Sequence, residues 1–214
     1  AATLADGGLV IIFLFFLLLE RRFFNTKINI MIPHERRRAS VHRILSEIDH
    51  DIRVYLGVKT FVSLLTAMPA YVIMRTVGLD FAPFWALLIF VFNFIPNFGS
   101  LVATALPSLL ALVQFDGFGP FLIIALGITA VQLSIANFVE PNLMGHSLNI
   151  SPLVIILSLV VWGLLWGIVG LFLCVPITAI AMIVMSHFRQ TRWVTILLSR
   201  DGRLRYGTAA DVAP

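Results

Sequence analysis

The 214-residue sequence is poor in charge and nearly devoid of cysteine: Asp, Glu, Lys and Arg make up 12% of it, and Cys174 is its single thiol. One cysteine forms no internal disulfide, and Cys174 inside an apolar run reads as a small core residue. No HExxH, Walker, GxSxG or paired-cysteine pattern is present. The constellations of hydrolases, zinc enzymes and nucleotide-driven pumps are thus missing, and catalytic residues, metal ligands and cofactors are all read as none. What fills the chain is apolar. With 59% hydrophobic residues and a mean hydropathy of +0.98, too little polar surface remains to coat a water-soluble domain. The composition predicts an all-α integral membrane protein, a polytopic helical bundle whose main partner is the lipid bilayer.

The scarce cations are grouped. Of 15 Lys and Arg, nine lie from Arg21 to Lys59 and five from Arg189 to Arg205, leaving only Arg75 elsewhere. Both groups are assigned to the cytoplasmic side, so the chain between them crosses the bilayer an even number of times. The sequence pI near 9.8 follows from these flanking groups. Without interleaved aromatic and basic residues it does not point to nucleic acid.

Two long apolar runs carry the same punctuation. Ala82-Pro83 and Ser151-Pro152 each open a run without Asp, Glu, Lys or Arg, and each meets a second proline 24 positions on, at Pro107 and Pro176, giving an offset of 69 residues between the copies. The run from Phe81 to Phe115 is 35 residues long; as one helix it would extend about 50 Å against a hydrocarbon core of roughly 30 Å. A break is therefore expected. In the first copy it is placed at Asn93-Phe94-Ile95-Pro96-Asn97-Phe98-Gly99-Ser100, where Pro96 removes a helix donor and Gly99 permits a positive φ. In the second it is placed at Gly163, Gly167 and Gly170, with Pro107 and Pro176 as further breaks. If each broken run is a re-entrant hairpin, each repeat crosses once in net and the second copy is inverted relative to the first, an arrangement that sets a binding site where broken ends meet. Two long kinked helices are the alternative.

Ahead of the repeats, Val41, Ile44, Leu45, Ile48, Ile52, Tyr55 and Leu56 fall at helical spacing after Pro33, among charged residues. This is the pattern of a basic amphipathic helix. Leu9 to Leu19 is only eleven residues long, short of the roughly 20 that a span needs. The chain also does not begin with Met. The expectation is the C-terminal part of a longer protein, divided as follows: 1–20 a truncated transmembrane helix, 21–56 a cytoplasmic or interfacial amphipathic helix, 57–115 the first membrane repeat, 116–188 the second, and 189–214 a basic cytoplasmic tail.

Polar groups inside apolar segments are costly unless paired or facing a cavity. Glu140 is the only Asp, Glu, Lys or Arg between Asp116 and Arg189, and it follows Gln132 and Asn137. Either it belongs to an ion or substrate pathway, or it is a solvated carboxylate where a helix ends at Pro141. The candidate pathway residues are Asn93, Pro96, Asn97, Gly99, Gln132, Asn137, Glu140 and Thr178, joined by the hydroxyls of Thr104 and Ser108.

Several of these residues stand in a recognisable order: Ile95-Pro96-Asn97-Phe98-Gly99, Pro107-Ser108-Leu109, Gln132, Asn137-Phe138-Val139-Glu140-Pro141-Asn142-Leu143-Met144-Gly145, Ser151-Pro152, Trp162-Gly163 and Val175-Pro176-Ile177-Thr178. Over nearly its whole length the chain resembles the autoinducer-2 exporter (AI-2E, PerM-like) family. The resemblance implies a multi-pass carrier of the bacterial inner membrane that moves a small polar solute such as a quorum-sensing signal by alternating access, or a sodium/proton antiporter coupled by H+ or Na+. It also implies a homo-oligomer, with a pentamer as one candidate, and about 140 further N-terminal residues. A channel or structural membrane protein is the competing class. It differs in whether Glu140 and the two breaks share one occluded site or line a continuous pore.

Overall fold

The computed structural model describes residues 31, 34–96, 98–144 and 149–202. The chain divides into two compact units, Ala1–Ser46 and Glu47–Pro214. In the first, the described residues include the opening turns of helix α1 (Glu35–Val77), where Glu35 in the first turn complements the helix dipole. All that follows concerns the second unit.

α1 runs without a stop through position 56, through Lys59 and through Pro69. It closes at Gly78, whose φ of +83° is a backbone state that glycine reaches without penalty. There Leu79 N donates to Met74 O at 2.9 Å and Gly78 N to Arg75 O at 3.2 Å, the paired bonds that end a helix on a left-handed glycine. Then follow α2 (Ala82–Phe92), α3 (Phe98–Gln114) and α4 (Phe118–Ser134). α4 continues through a π-helical turn (Ile135–Val139) into α5 (Glu140–Met144). α6 (Pro152–His187) and the short α7 (Arg192–Leu198) complete the described chain.

Both apolar runs double back. α2 and α3 pack together across the turn at 93–96, and the start and end of this excursion are tied: Asp80 N donates to Gln114 Oε1 at 2.8 Å, and Gln114 Nε2 to Gly78 O at 2.9 Å. α6 reverses at Gly167, the one non-helical residue inside it (φ 60°, ψ −138°). Trp162 Nε1 donates to Thr178 Oγ1 at 3.2 Å although the two are 16 residues apart, a span of about 24 Å along a straight helix. The ends of this excursion also meet, since Ser151 N donates to Leu198 O at 3.0 Å and Asn149 bonds Asp201.

The reversals correct one expectation. Pro107 lies inside α3 and Pro176 inside α6, and neither breaks its helix. Each proline forfeits one backbone bond, yet the helix survives because the residue is buried in packing that holds the segment. Gly163 and Gly170 are not breaks either; they are where the two arms of α6 touch. A β-carbon on Gly170 would lie 1.8 Å from the Trp162 carbonyl oxygen, and one on Gly163 would lie 2.7 Å from the Leu171 side chain.

Ala67, Ala70 and Met74 of α1, Ala82 and Ile89 of α2, Ala103 and Ala111 of α3, and Ile124 and Ile128 of α4 form one buried core. A second joins Tyr55 of α1 to Ile150 and to Val154, Cys174, Val175, Ala179 and Met182 of α6. Small residues at the helix contacts allow close approach, while Leu64, Met68, Phe84, Leu87, Leu101, Leu126, Leu164 and Val169 point outward. That inside-out distribution suits a hydrocarbon solvent. Three helices are long and apolar enough to cross a membrane among the described residues, Arg38–Val77, Phe118–Leu143 and Pro152–His187. The last of these is two arms, not one straight crossing, because of Gly167.

Candidate functional site

The turn between α2 and α3, the middle of α1, the inner face of α3, the π turn after α4 and the first residues of α6 enclose a cavity of about 1020 Å³. Its lining gathers Asn93 and Pro96 from the first doubled-back segment, Gln132, Asn137 and Glu140 from α4 and its continuation, and Pro152 and Ile155 from the second segment. Thr104 and Ser108 of α3 join them, as do Lys59 and Thr66 of α1.

An ion pair stands in the wall. Lys59 Nζ donates to Glu140 Oε1 at 2.6 Å, with side-chain exposures of 8% for the lysine and 24% for the glutamate. The low figure means that this ammonium is held by its counter-charge and not by water. It also displaces the solvated-loop reading of Glu140. The helix does continue past Asn137 to carry Glu140, but through a π turn. Eight residues of ideal α-helix would leave Gln132 and Glu140 about 80° apart. A π turn advances by about 80° per residue instead of 100°, so five such residues bring the pair back to nearly one face.

The amides are held in place. Asn93 Nδ2 donates to Ser63 Oγ at 3.0 Å, tying the first turn to α1. Thr104 Oγ1 lies 3.0 Å from both Gln132 Oε1 and Ser100 O, and its single proton serves one of them at a time. Asn137 Nδ2 donates to Leu133 O at 2.8 Å. The cavity is thus a polar strip of hydroxyls, amides and one ion pair set in an apolar wall.

Not every candidate is gathered here. Gly99 does not take the positive φ expected of it; it lies buried inside α3, where a β-carbon would lie 1.8 Å from the Phe92 carbonyl oxygen. Thr178 lies off the cavity, accepting the Trp162 indole N–H and donating to Cys174 O at 2.6 Å. Asn97 lies outside the described residues. Sequence reasoning missed Lys59, Ser63 and Thr66. A usable signal existed for the first of them: Lys59 directly precedes the charge-free stretch from Thr60 to Met74, as Glu140 is the lone anion of its own. Among the described residues no group of three or more His, Cys, Asp or Glu is placed to hold a metal ion.

Residues 3–190 match the family described as AI-2E family transporter. Among curated proteins the chain is 36% identical over 161 residues to AI-2 transport protein TqsA of Escherichia coli K12, covering 75% of this chain and 45% of that protein. It is 35% identical over 197 residues to a putative transport protein of Borreliella burgdorferi, covering 90% and 54%. To the putative transport protein YhhT of Escherichia coli K12 it is 32% identical over 199 residues, covering 92% and 56%. The chain therefore spans about half the length of the curated relatives it matches. With its apolar outer surface, its doubled-back helices and a match along most of its length, the chain belongs to the AI-2E family of membrane transporters.

Proposed function

We propose that the chain forms the solute-binding part of a carrier that moves a small polar solute across the bacterial inner membrane by alternating access. The observation that carries this reading is the convergence of the turn of one doubled-back segment and the start of the other on one polar cavity. Irregular backbone within a bilayer needs protein, water or cargo around it, and paired broken segments are where transporters bind. In this reading the segments are re-entrant hairpins of two inverted repeats, 57–115 and 116–188, and the basic segments 21–56 and 189–214 face the cytoplasm. The tied ends of each excursion support it, because a segment that begins and ends at one place returns to the side it left. Ser100, Thr104, Ser108, Gln132 and Asn137 supply the donors and acceptors that a hydroxylated solute needs.

The test is counterflow with the full-length protein in vesicles. Vesicles preloaded with unlabelled autoinducer-2 should accumulate labelled solute transiently against its gradient, since a carrier exchanges one molecule for another. Simple equilibration without accumulation would assign the cavity to a pore. An unchanged rate in Ser108→Leu, which projects bulk into the cavity, would remove the cavity from the pathway.

A further inference from the structure

The short helix α7 wears its polarity inside out. On it Trp193, Ile196 and Leu197 stand at i, i+3 and i+4, one face of a helix, and leave 67%, 42% and 73% of their surfaces exposed. The hydroxyl residues point the other way, for Thr195 and the adjoining Ser199 are buried. In water this orientation would be reversed, and so short a helix would not hold by itself. The rest of the protein holds it. Thr191 Oγ1 donates to Met185 O at 2.9 Å, Leu198 packs against the second core, and Ser151 N donates to Leu198 O at 3.0 Å beside a bridge between Ile150 and Ser199. The apolar face is therefore fixed outward.

Charge and position decide what covers it. From Phe188 to Gly202 the chain carries Arg189, Arg192 and Arg200 against Asp201 alone, three positive charges less one negative, a net +2. Asp201 is engaged by Asn149, while Arg189 and Arg200 are exposed on either side of the helix. Hydrocarbon suits the apolar face but not guanidinium groups, and water suits the arginines but not Trp193 or Leu197. The headgroup layer suits both, because an indole settles at its boundary and arginines reach its phosphates. The place in the fold agrees. α7 follows the end of α6 at His187 and bonds the chain just before the start of α6 at Pro152, so it lies where the second doubled-back segment leaves and re-enters the membrane surface.

We propose that α7 is an in-plane anchor for anionic phospholipid, with Trp193, Ile196 and Leu197 sunk below the headgroups and Arg189 and Arg200 on lipid phosphate. A zwitterionic lipid offsets its phosphate with an ammonium of its own; a lipid such as phosphatidylglycerol does not, and a segment of net positive charge prefers it. The basic stretch read from the sequence as a tail thus belongs in part to the membrane-facing surface. Nothing in this depends on which solute the cavity takes.

The experiment uses full-length protein in mixed phosphatidylcholine–phosphatidylglycerol vesicles, with brominated acyl chains on one lipid or on the other. Bromine quenches tryptophan by contact, and the Trp193 signal is the difference between the native protein and Trp193→Phe. Both lipids should quench it, with a relative affinity favouring phosphatidylglycerol by more than about fivefold, the effect of one arginine near an anionic surface. In the double variant Arg189→Gln, Arg200→Gln the preference should fall to near one while quenching by both lipids persists, because the apolar face is unchanged. Absence of Trp193 quenching by either lipid would place the face in water or under protein and overturn the proposal. Quenching that appears only as the protein is diluted in lipid would assign the face to a second copy of the chain. Equal quenching by the two lipids in the native protein, or an undiminished preference in the double variant, would remove the headgroup site.

Discussion

Gly170 packs so closely on Trp162 that a β-carbon would lie 1.8 Å from the Trp162 carbonyl oxygen, and Gly99 stands in the same relation to Phe92. Each glycine sits where the two arms of a doubled-back segment touch. Backbone cannot move aside as a flexible side chain can, so Gly99→Ala and Gly170→Ala should each destabilise the protein by at least the roughly 1–3 kcal/mol of ordinary overpacking. Gly119→Ala, at a position with nothing within 4 Å, should not. Melting of the purified variants in detergent checks this; equal melting temperatures for all three would show that the arms do not touch as described.

Lys59 and Glu140 should behave as a pair in stability as well. Lys59→Met and Glu140→Gln each leave one partly or fully buried charge without its counterpart, which should cost about 3 kcal/mol, the lower end for a broken buried pair because Glu140 is partly wet. The double variant should recover more than half of that loss. Additive single effects in chemical denaturation would mean that the two charges do not couple.

Sidedness follows from the tied ends. Cysteine at Asp80 and at Asp116 should react with an impermeant thiol reagent from one side of oriented vesicles, and cysteine at Asn149 and at Arg189 from the other. Labelling of Asp80→Cys and Asp116→Cys from opposite sides would make the first apolar run a single crossing.

The amides of the cavity should matter for flux. Asn93→Leu removes the bond to Ser63, and Gln132→Leu removes the acceptor for Thr104. Each should slow solute counterflow by about tenfold, the size of one lost hydrogen bond of ~1.4 kcal/mol, with membrane insertion intact. Full flux in both variants would reduce these residues to helix staples.

Much of the fold was legible because hydrophobicity and punctuation are local. The charge-free runs marked the apolar helices, and a run too long for one crossing announced a break within Asn93 to Ser100, where the chain turns at 93–96 and is helical again from Phe98. The prolines misled: Pro107 and Pro176 mark the repeat but sit inside helices, because a buried segment tolerates one missing backbone bond when its neighbours hold it. Gly163 and Gly170 were found for the wrong reason, since their role is contact between arms and not bending.

By itself the sequence determined the solvent, the helical class, the doubled punctuation and the set of polar residues too costly to be idle, Glu140 among them. These depend on composition and on spacing along one chain. Only the tertiary structure decided which of those residues meet. Lys59 and Glu140 are 81 positions apart, and no helical period links them. Their pairing rests on α1 packing beside the end of α4 and on a π turn that rotates Glu140 back toward Gln132, and both depend on the whole bundle reaching its lowest packing energy.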